Sequence, residues 1–226
     1  MMLARRTGRV VGGLLLLQLV GLFAGFVLLA PAVTTEYLAA AAGLENSVRA
    51  AALFLLASVI CALLLSIAAF PIFRDNNRGA AFWFIAISVV WLVMQAVDSA
   101  HFLSMMSLSK RFAEGGGANA DLYSLLAVQV RSTRTWIHYT TLLFIDAWLA
   151  TLYGSIFAFR LVPRVIGALA LLTVIFHAIG LPLAMLIGYP LILNFAYGLP
   201  VSYILVGVWL LIKGFSEQNQ VPLNGE

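Results

Sequence analysis

Long apolar stretches separated by short polar or basic breaks dominate the chain, and in order they predict six membrane-spanning helices. The spans fall at about residues 10–29, 49–73, 81–106, 136–159, 165–186 and 191–212. The first is long enough to cross roughly 30 Å of hydrocarbon at about 1.5 Å per residue. Arg5, Arg6 and Arg9 before it and Ala30-Pro31-Ala32 after it also resemble a signal peptide. Its apolar core exceeds the usual ~7–15 residues of such a leader and more spans follow, so the segment is expected to remain a span. Gly21 and Gly25 form a small-xxx-small pair with Gln18 on the same side, a face suited to close packing against another helix.

The breaks carry their own signals. Residues 31–48 read as a loop holding Glu36 and Glu45. Pro71 and the run Arg74-Asp75-Asn76-Asn77-Arg78-Gly79 predict a tight charged hairpin, which makes the second and third spans antiparallel neighbours. The longest loop is expected at residues 107–135, broken by Gly115-Gly116-Gly117. There Asn119 or Asp121 is placed to cap a short helix with Leu122, Leu125, Leu126 and Gln129 on one face, lying on the outer membrane surface. Basic residues flank the Arg160–Arg164 turn, Gly188-Tyr189-Pro190 leads into the last span, Pro200 is expected to kink it, and the polar tail from Lys213 is expected to fray.

Composition narrows the class. With 63% hydrophobic and 10% charged residues among 226, and a mean hydropathy of +1.03, the chain reads as a single polytopic all-α membrane domain over residues 1–226. The net charge of +4 does not point to nucleic acid, because the basic residues cluster at span ends. Arg5, Arg6, Arg9, Arg74, Arg78, Arg160, Arg164 and Lys213 fall on one side, and Arg49, Lys110, Arg111, Arg131 and Arg134 on the other. The excess puts both termini in the cytoplasm. The lone Cys61 excludes an intramolecular disulfide and a cysteine-rich metal site. No phosphate loop, nucleophile elbow or dinucleotide fingerprint supports nucleotide-driven pumping or serine-hydrolase chemistry.

Ionisable groups inside spans are costly and mark candidate sites. Gln95, Asp98 and His101 share one stripe of the third span, the fourth carries His138 and Asp146, and the fifth carries His177. Counted from the cytoplasmic helix ends, Asp98, His101, His138 and Asn194 lie at roughly 27–33 Å, and Gln95, Asp146 and His177 at roughly 18–22 Å. An Asp98–His101 pair and an Asp146–His177 pair would donate and accept protons. Asp98, Asp146, His101 and His177 are therefore the candidate catalytic residues, and Gln95, His138, Asn194, Tyr197 and Trp91 the candidate ligand-binding ones. The plain alternative is that each pair only fixes packing through an interhelical hydrogen bond. Asp98, His101 and His138 would give a metal three ligands, but no HExxH or HxxxH spacing accompanies them, and bis-histidine haem ligation rests on count alone. No metal is assigned, and the cofactor stays unassigned.

Three functions compete. The first is an outward-side intramembrane pocket that binds a small apolar or amphipathic molecule, such as a lipid or isoprenoid, and acts on it by proton transfer if it acts at all. The second is a small proton-coupled transporter, for which the cytoplasmic half offers little beyond Gln18, Ser202 and Tyr203. The third is a structural or regulatory membrane partner without a cavity. The expected partners are the bilayer and such a ligand, with homo-oligomers allowed and nucleic acid excluded.

Several stretches resemble the bacterial domain-of-unknown-function 4386 family. They are Leu108-Ser109-Lys110-Arg111-Phe112-Ala113 with the Gly-rich turn after it, Arg134-Thr135-Trp136, Leu161-Val162-Pro163-Arg164-Val165-Ile166-Gly167, and the closing Val208-Trp209-Leu210-Leu211-Ile212-Lys213-Gly214-Phe215. The resemblance covers nearly the whole chain and implies a six-helix, multi-pass protein of the bacterial inner membrane. It supplies no established activity, and Asp98, His101 and His177 match no motif position of the family.

Overall fold

The computed structural model describes residues 2–115, 119–187 and 197–216, and every regular element among them is helical. Helix α1 (Met2–Leu29) is followed by a short turn, Ala30–Ala32, by α2 (Tyr37–Ala40) and by a second short turn, Ala41–Leu44. The long helices α3 (Glu45–Asn76), α4 (Arg78–Glu114), α5 (Ala120–Ala158) and α6 (Arg164–Ile187) come next, and α7 (Gly198–Lys213) closes the chain. Among the described residues α1, α3, α4, α5 and α6 are long and apolar enough to cross a membrane, and α7 is an apolar helix of 16 residues. The Gly188-Tyr189-Pro190 turn, the start of the sixth span with Asn194, and the chain beyond Ser216 lie outside the described residues.

Connection lengths dictate the order of the ring. Asn77 alone links α3 to α4: its backbone N–H bonds Phe73 O at 2.7 Å and its side chain accepts from Ala80 N at 3.0 Å, so it ends one helix and caps the next. Each long helix packs on its successor, and α7 returns to α1. The start of α1 and the end of α7 therefore meet at one basic end, where Arg5 Nε donates to Lys213 O and Arg9 to Ile212 O, each at 3.3 Å.

The ring closes on glycines. A Cβ on Gly12 would stand 2.5 Å from Leu211 N of α7, and one on Gly25 would stand 2.6 Å from Leu55 Cγ of α3. The small face of residues 21 and 25 thus packs on α3, while Gln18 turns instead to Tyr203 of α7.

Two expected loops are largely helical. With 37 and 39 residues, α4 and α5 reach about 55–60 Å and run well past a bilayer's hydrocarbon. Residues 107–114 and 120–135 are polar enough to end a hydrophobic span, but they stay helical as far as Glu114 and again from Ala120, so helix and span end at different places. The short surface helix expected after Asn119 is the first part of α5, and Asn119 precedes it in the left-handed region without a side-chain cap. Residues 31–44 likewise fold into a cap: Ser109 Oγ donates to Leu38 O and accepts from Ala42 N, both at 2.8 Å, and Tyr37 Oη donates to Ala127 O at 3.2 Å.

The described residues consequently form two apolar cores. One fills the ring between the long helices around Trp91, Trp148, Phe84 and Leu152. The other joins the cap to the far ends of α3, α4 and α5 around Tyr37, Val48, Phe102 and Met105.

At the basic end α5 stops in a Schellman motif, with Arg160 at φ 53°, Leu161 N bonded to Ile156 O at 2.9 Å and Arg160 N to Phe157 O at 3.2 Å. Ser216 N reaches Leu161 O at 2.7 Å and Phe215 is buried, so the tail expected to fray from Lys213 is packed as far as Ser216.

The α1–α7 seam yields a stability prediction. Gly12→Val drives a branched side chain into α7 backbone and is expected to cost about 1–3 kcal/mol. Gly13→Val, where the nearest atom to a new Cβ is Leu211 Cδ1 at 3.8 Å, should melt near the parent temperature. Thermal unfolding of both variants in one detergent checks the difference.

Candidate functional site

The inner stripe of α4 is polar as well as apolar: Ser88, Trp91, Gln95, Asp98, Ser99 and Phe102 are all buried. Helical spacing forces these residues onto one face, and that face looks into the ring.

Asp98 is 2% exposed and is met entirely from α5. Arg134 Nε donates to Oδ1 at 3.2 Å and His138 Nδ1 lies 3.2 Å from Oδ2. Arg134 and His138 are four residues apart, so one face of α5 presents both to the carboxylate. The Arg134 side chain is only 13% exposed, and Phe26 of α1 packs edge-on to the His138 ring at 6.2 Å. His101 takes no part. Its Nδ1 lies 2.9 Å from Val97 O of its own helix, so the expected Asp98–His101 pair is replaced by Asp98–Arg134–His138. A three-residue offset turns two side chains about 60° apart around a helix, which lets Asp98 face the seam while His101 folds back.

Deeper in the ring His177 Nδ1 of α6 lies 2.7 Å from Asp146 Oδ1 of α5, with both side chains at least 95% buried. Asp146 Oδ2 has no partner among the described residues. The geometry is that of a carboxyl–imidazole pair able to hold and exchange one proton. Nearer the basic end Gln18 Nε2 donates to Tyr203 Oη at 3.2 Å and Ser202 Oγ bonds Tyr153 Oη at 3.1 Å. Ser66, Ser88 and Trp148 form a further buried knot, with the two hydroxyls 2.7 Å apart and Trp148 Nε1 donating to Ser88 Oγ at 2.9 Å.

The candidate residues therefore occupy two seams, α4–α5 for Asp98 and His138, and α5–α6 for Asp146 and His177. Gln95 and Trp91 are buried on α4 with Nε2 and Nε1 unpartnered among the described residues, and Trp91 leans on the Trp148 ring at 5.4 Å. Tyr197 is 73% exposed and faces away from the ring. Asn194 lies outside the described residues. Among the described residues no three His, Cys, Asp or Glu side chains converge as metal ligands.

A cavity of about 530 Å³ lies between α2 and the first half of α5, beyond the Asp98 cluster. Leu38, Ala127, Val128 and Trp136 supply its apolar lining. Thr35, Tyr37, Ser124, Ser132 and Thr135 supply hydroxyls, and Arg131, one turn before Arg134, supplies a cation. None of the described candidate residues lines it. Arg131 and Arg134 were legible only as orientation charges in an expected loop, and the signal passed over is their spacing with His138. Three basic groups at i, i+3 and i+7 on one helical stripe call for an acid opposite.

A closed ring of apolar helices with paired ionisable groups in its seams defines a polytopic α-helical membrane protein. The chain belongs to the Domain of unknown function (DUF4386) family, whose model matches residues 10–214. Comparison with curated proteins and with solved structures gives no match.

Removing one member of the Asp98 cluster leaves the other without a partner in a poorly solvated seam. Asp98→Ala is expected to destabilise by up to about 3–5 kcal/mol. The double variant Asp98→Asn/Arg134→Gln should cost clearly less than the sum of its single changes. Denaturant unfolding in micelles, run as a double-mutant cycle, measures the coupling, and strict additivity would refute it.

Proposed function

We propose that the protein binds a small amphipathic molecule, a lipid or isoprenoid of the surrounding bilayer, at the end of the ring remote from its basic face. The cavity beside α2 carries this reading: its volume lies within the roughly 300–1,000 Å³ usual for small-molecule sites, and it combines an apolar lining with a few polar groups. Counted from the basic end of α5, Trp136 stands about 33 Å and Arg131 about 40 Å up the helix. With hydrocarbon of about 30 Å starting at the basic end, that height is the far headgroup layer. An exposed Trp at that level suits the aromatic belt, and the excess of basic residues at the other end orients the cavity away from the cytoplasm of a bacterial inner membrane. The Asp98–Arg134–His138 cluster holds the cavity-bearing part of α5 against α4, one turn below.

Ser124 and Val128 line the cavity from the exposed side of α5, so bulk placed there fills it without entering a core. Ser124→Trp/Val128→Trp is expected to strip co-purifying lipid, as read by native mass spectrometry, while helicity and monodispersity stay at parent level. Unchanged lipid retention would remove the reading.

Proton-coupled transport is favoured by a separate observation: the buried Asp146–His177 pair is 2.7 Å apart, about 18 Å along α5 from its basic end, and the hydrogen-bonded Gln18–Tyr203 and Ser202–Tyr153 groups lie nearer that end. This reading expects proton uptake into protein-loaded liposomes that Asp146→Asn abolishes. Uptake no faster than in empty vesicles dismisses it.

A further inference from the structure

We infer that Arg131 makes the cavity a site for an oxyanion carried on an apolar chain, the headgroup of an acidic lipid. The inference rests on the binding reading above and adds the charge of the ligand.

The argument is one of unmatched charge. Of the other described cations at this end, Arg134 pairs with Asp98 at 3.2 Å and Lys110 (at 3.4 Å) and Arg49 pair with Glu45, while Arg111 is exposed to solvent and lies outside the cavity lining. Arg131 is half-buried, lines the cavity and makes no ion pair among the described residues. No acidic residue lines the cavity with it; Glu36, Glu114 and Asp121 are exposed and lie outside the lining. A guanidinium held against an apolar wall loses solvation and gains most from a bidentate oxyanion, since its planar donors match phosphate or carboxylate oxygens.

The hydroxyls divide in the same sense. Tyr37 Oη is committed to Ala127 O and Thr135 Oγ1 to Arg131 O, whereas Ser124 and Ser132 have no hydrogen-bond partner among the described residues. Both uncommitted groups can donate to the anion that Arg131 attracts. The apolar lining then selects an anion that brings a hydrocarbon chain over a bare ion.

Binding to the full-length protein in a nonionic detergent tests this with three probes: phosphatidic acid, diacylglycerol with the same acyl chains, and inorganic phosphate. Phosphatidic acid is expected to bind at least ten-fold more tightly than diacylglycerol. Arg131→Gln should erase that preference by weakening phosphatidic acid at least ten-fold while weakening diacylglycerol by no more than two- to three-fold, and Arg131→Lys should restore part of it. Inorganic phosphate should compete only at far higher concentration. Equal binding of both lipids, or a preference for phosphatidic acid that survives Arg131→Gln, overturns the anion assignment and leaves the cavity reading standing. Failure of both lipids to bind ends both. Inorganic phosphate binding as tightly as phosphatidic acid also overturns the proposal, since the apolar lining would then contribute nothing.

Discussion

A carboxylate denied water must find its compensation inside the protein, and Asp98 shows how far that requirement shapes the molecule. It stands on α4 between the core of the ring and the core of the cap, and both its oxygens are taken up by Arg134 and His138 of α5. Replacing such a pair by hydrocarbon is often neutral or favourable for stability, so its presence is better read as a tie between α4 and α5 than as a source of net stability. Only one alignment of α4 and α5 brings a guanidinium and an imidazole to the same carboxyl. That alignment fixes where the far half of α5 stands, and with it the wall of the cavity.

Apolar periodicity reveals the spans because a helix in hydrocarbon has to be apolar over about 20 residues. It does not reveal how far a helix continues beyond the lipid, and for that reason residues 107–114 and 120–135 read as loop although they extend α4 and α5. The hairpin between the second and third spans was legible because Pro71 and the charged run from Arg74 to Gly79 interrupt two long apolar stretches; that the break shrinks to Asn77 alone was not. The partner of Asp98 was not: His101 is nearer in sequence, but neighbours on one helix diverge around its axis, while Arg134 and His138 approach across a seam that no local pattern describes. Gln95 was legible as a polar group inside a span, whereas nothing in the pattern showed that Tyr197 is exposed, because a rotation by a fraction of a turn decides which side a residue faces.

The stretches that carry the family resemblance fall into place once the chain is folded. Leu161-Val162 and Gly214-Phe215 meet at the basic end, where Ser216 N bonds Leu161 O and Phe215, Leu161 and Val162 are all buried. Arg5 closes over the same region through Lys213 O. These contacts lie where α7 returns to α1, so the residues that carry the resemblance take part in closing the ring.

The polar groups that remain can be sorted by what each has left to offer. Asp98 has a partner on each oxygen, both from α5. Asp146 keeps Oδ2 unpartnered among the described residues and has an imidazole at 2.7 Å, so any proton exchange inside the ring belongs there. Arg131 lines the cavity and makes no ion pair among the described residues, so it is the cation with most left to offer the proposed ligand. Between these two positions the α4 stripe contributes donors at Trp91 and Gln95 whose partners are not found among the described residues. Residue count alone would have ranked Asp98 first, with two bases and the deepest burial. Unspent hydrogen-bonding and charge capacity reverses that order, because a group already satisfied by its own fold has nothing further to give a ligand.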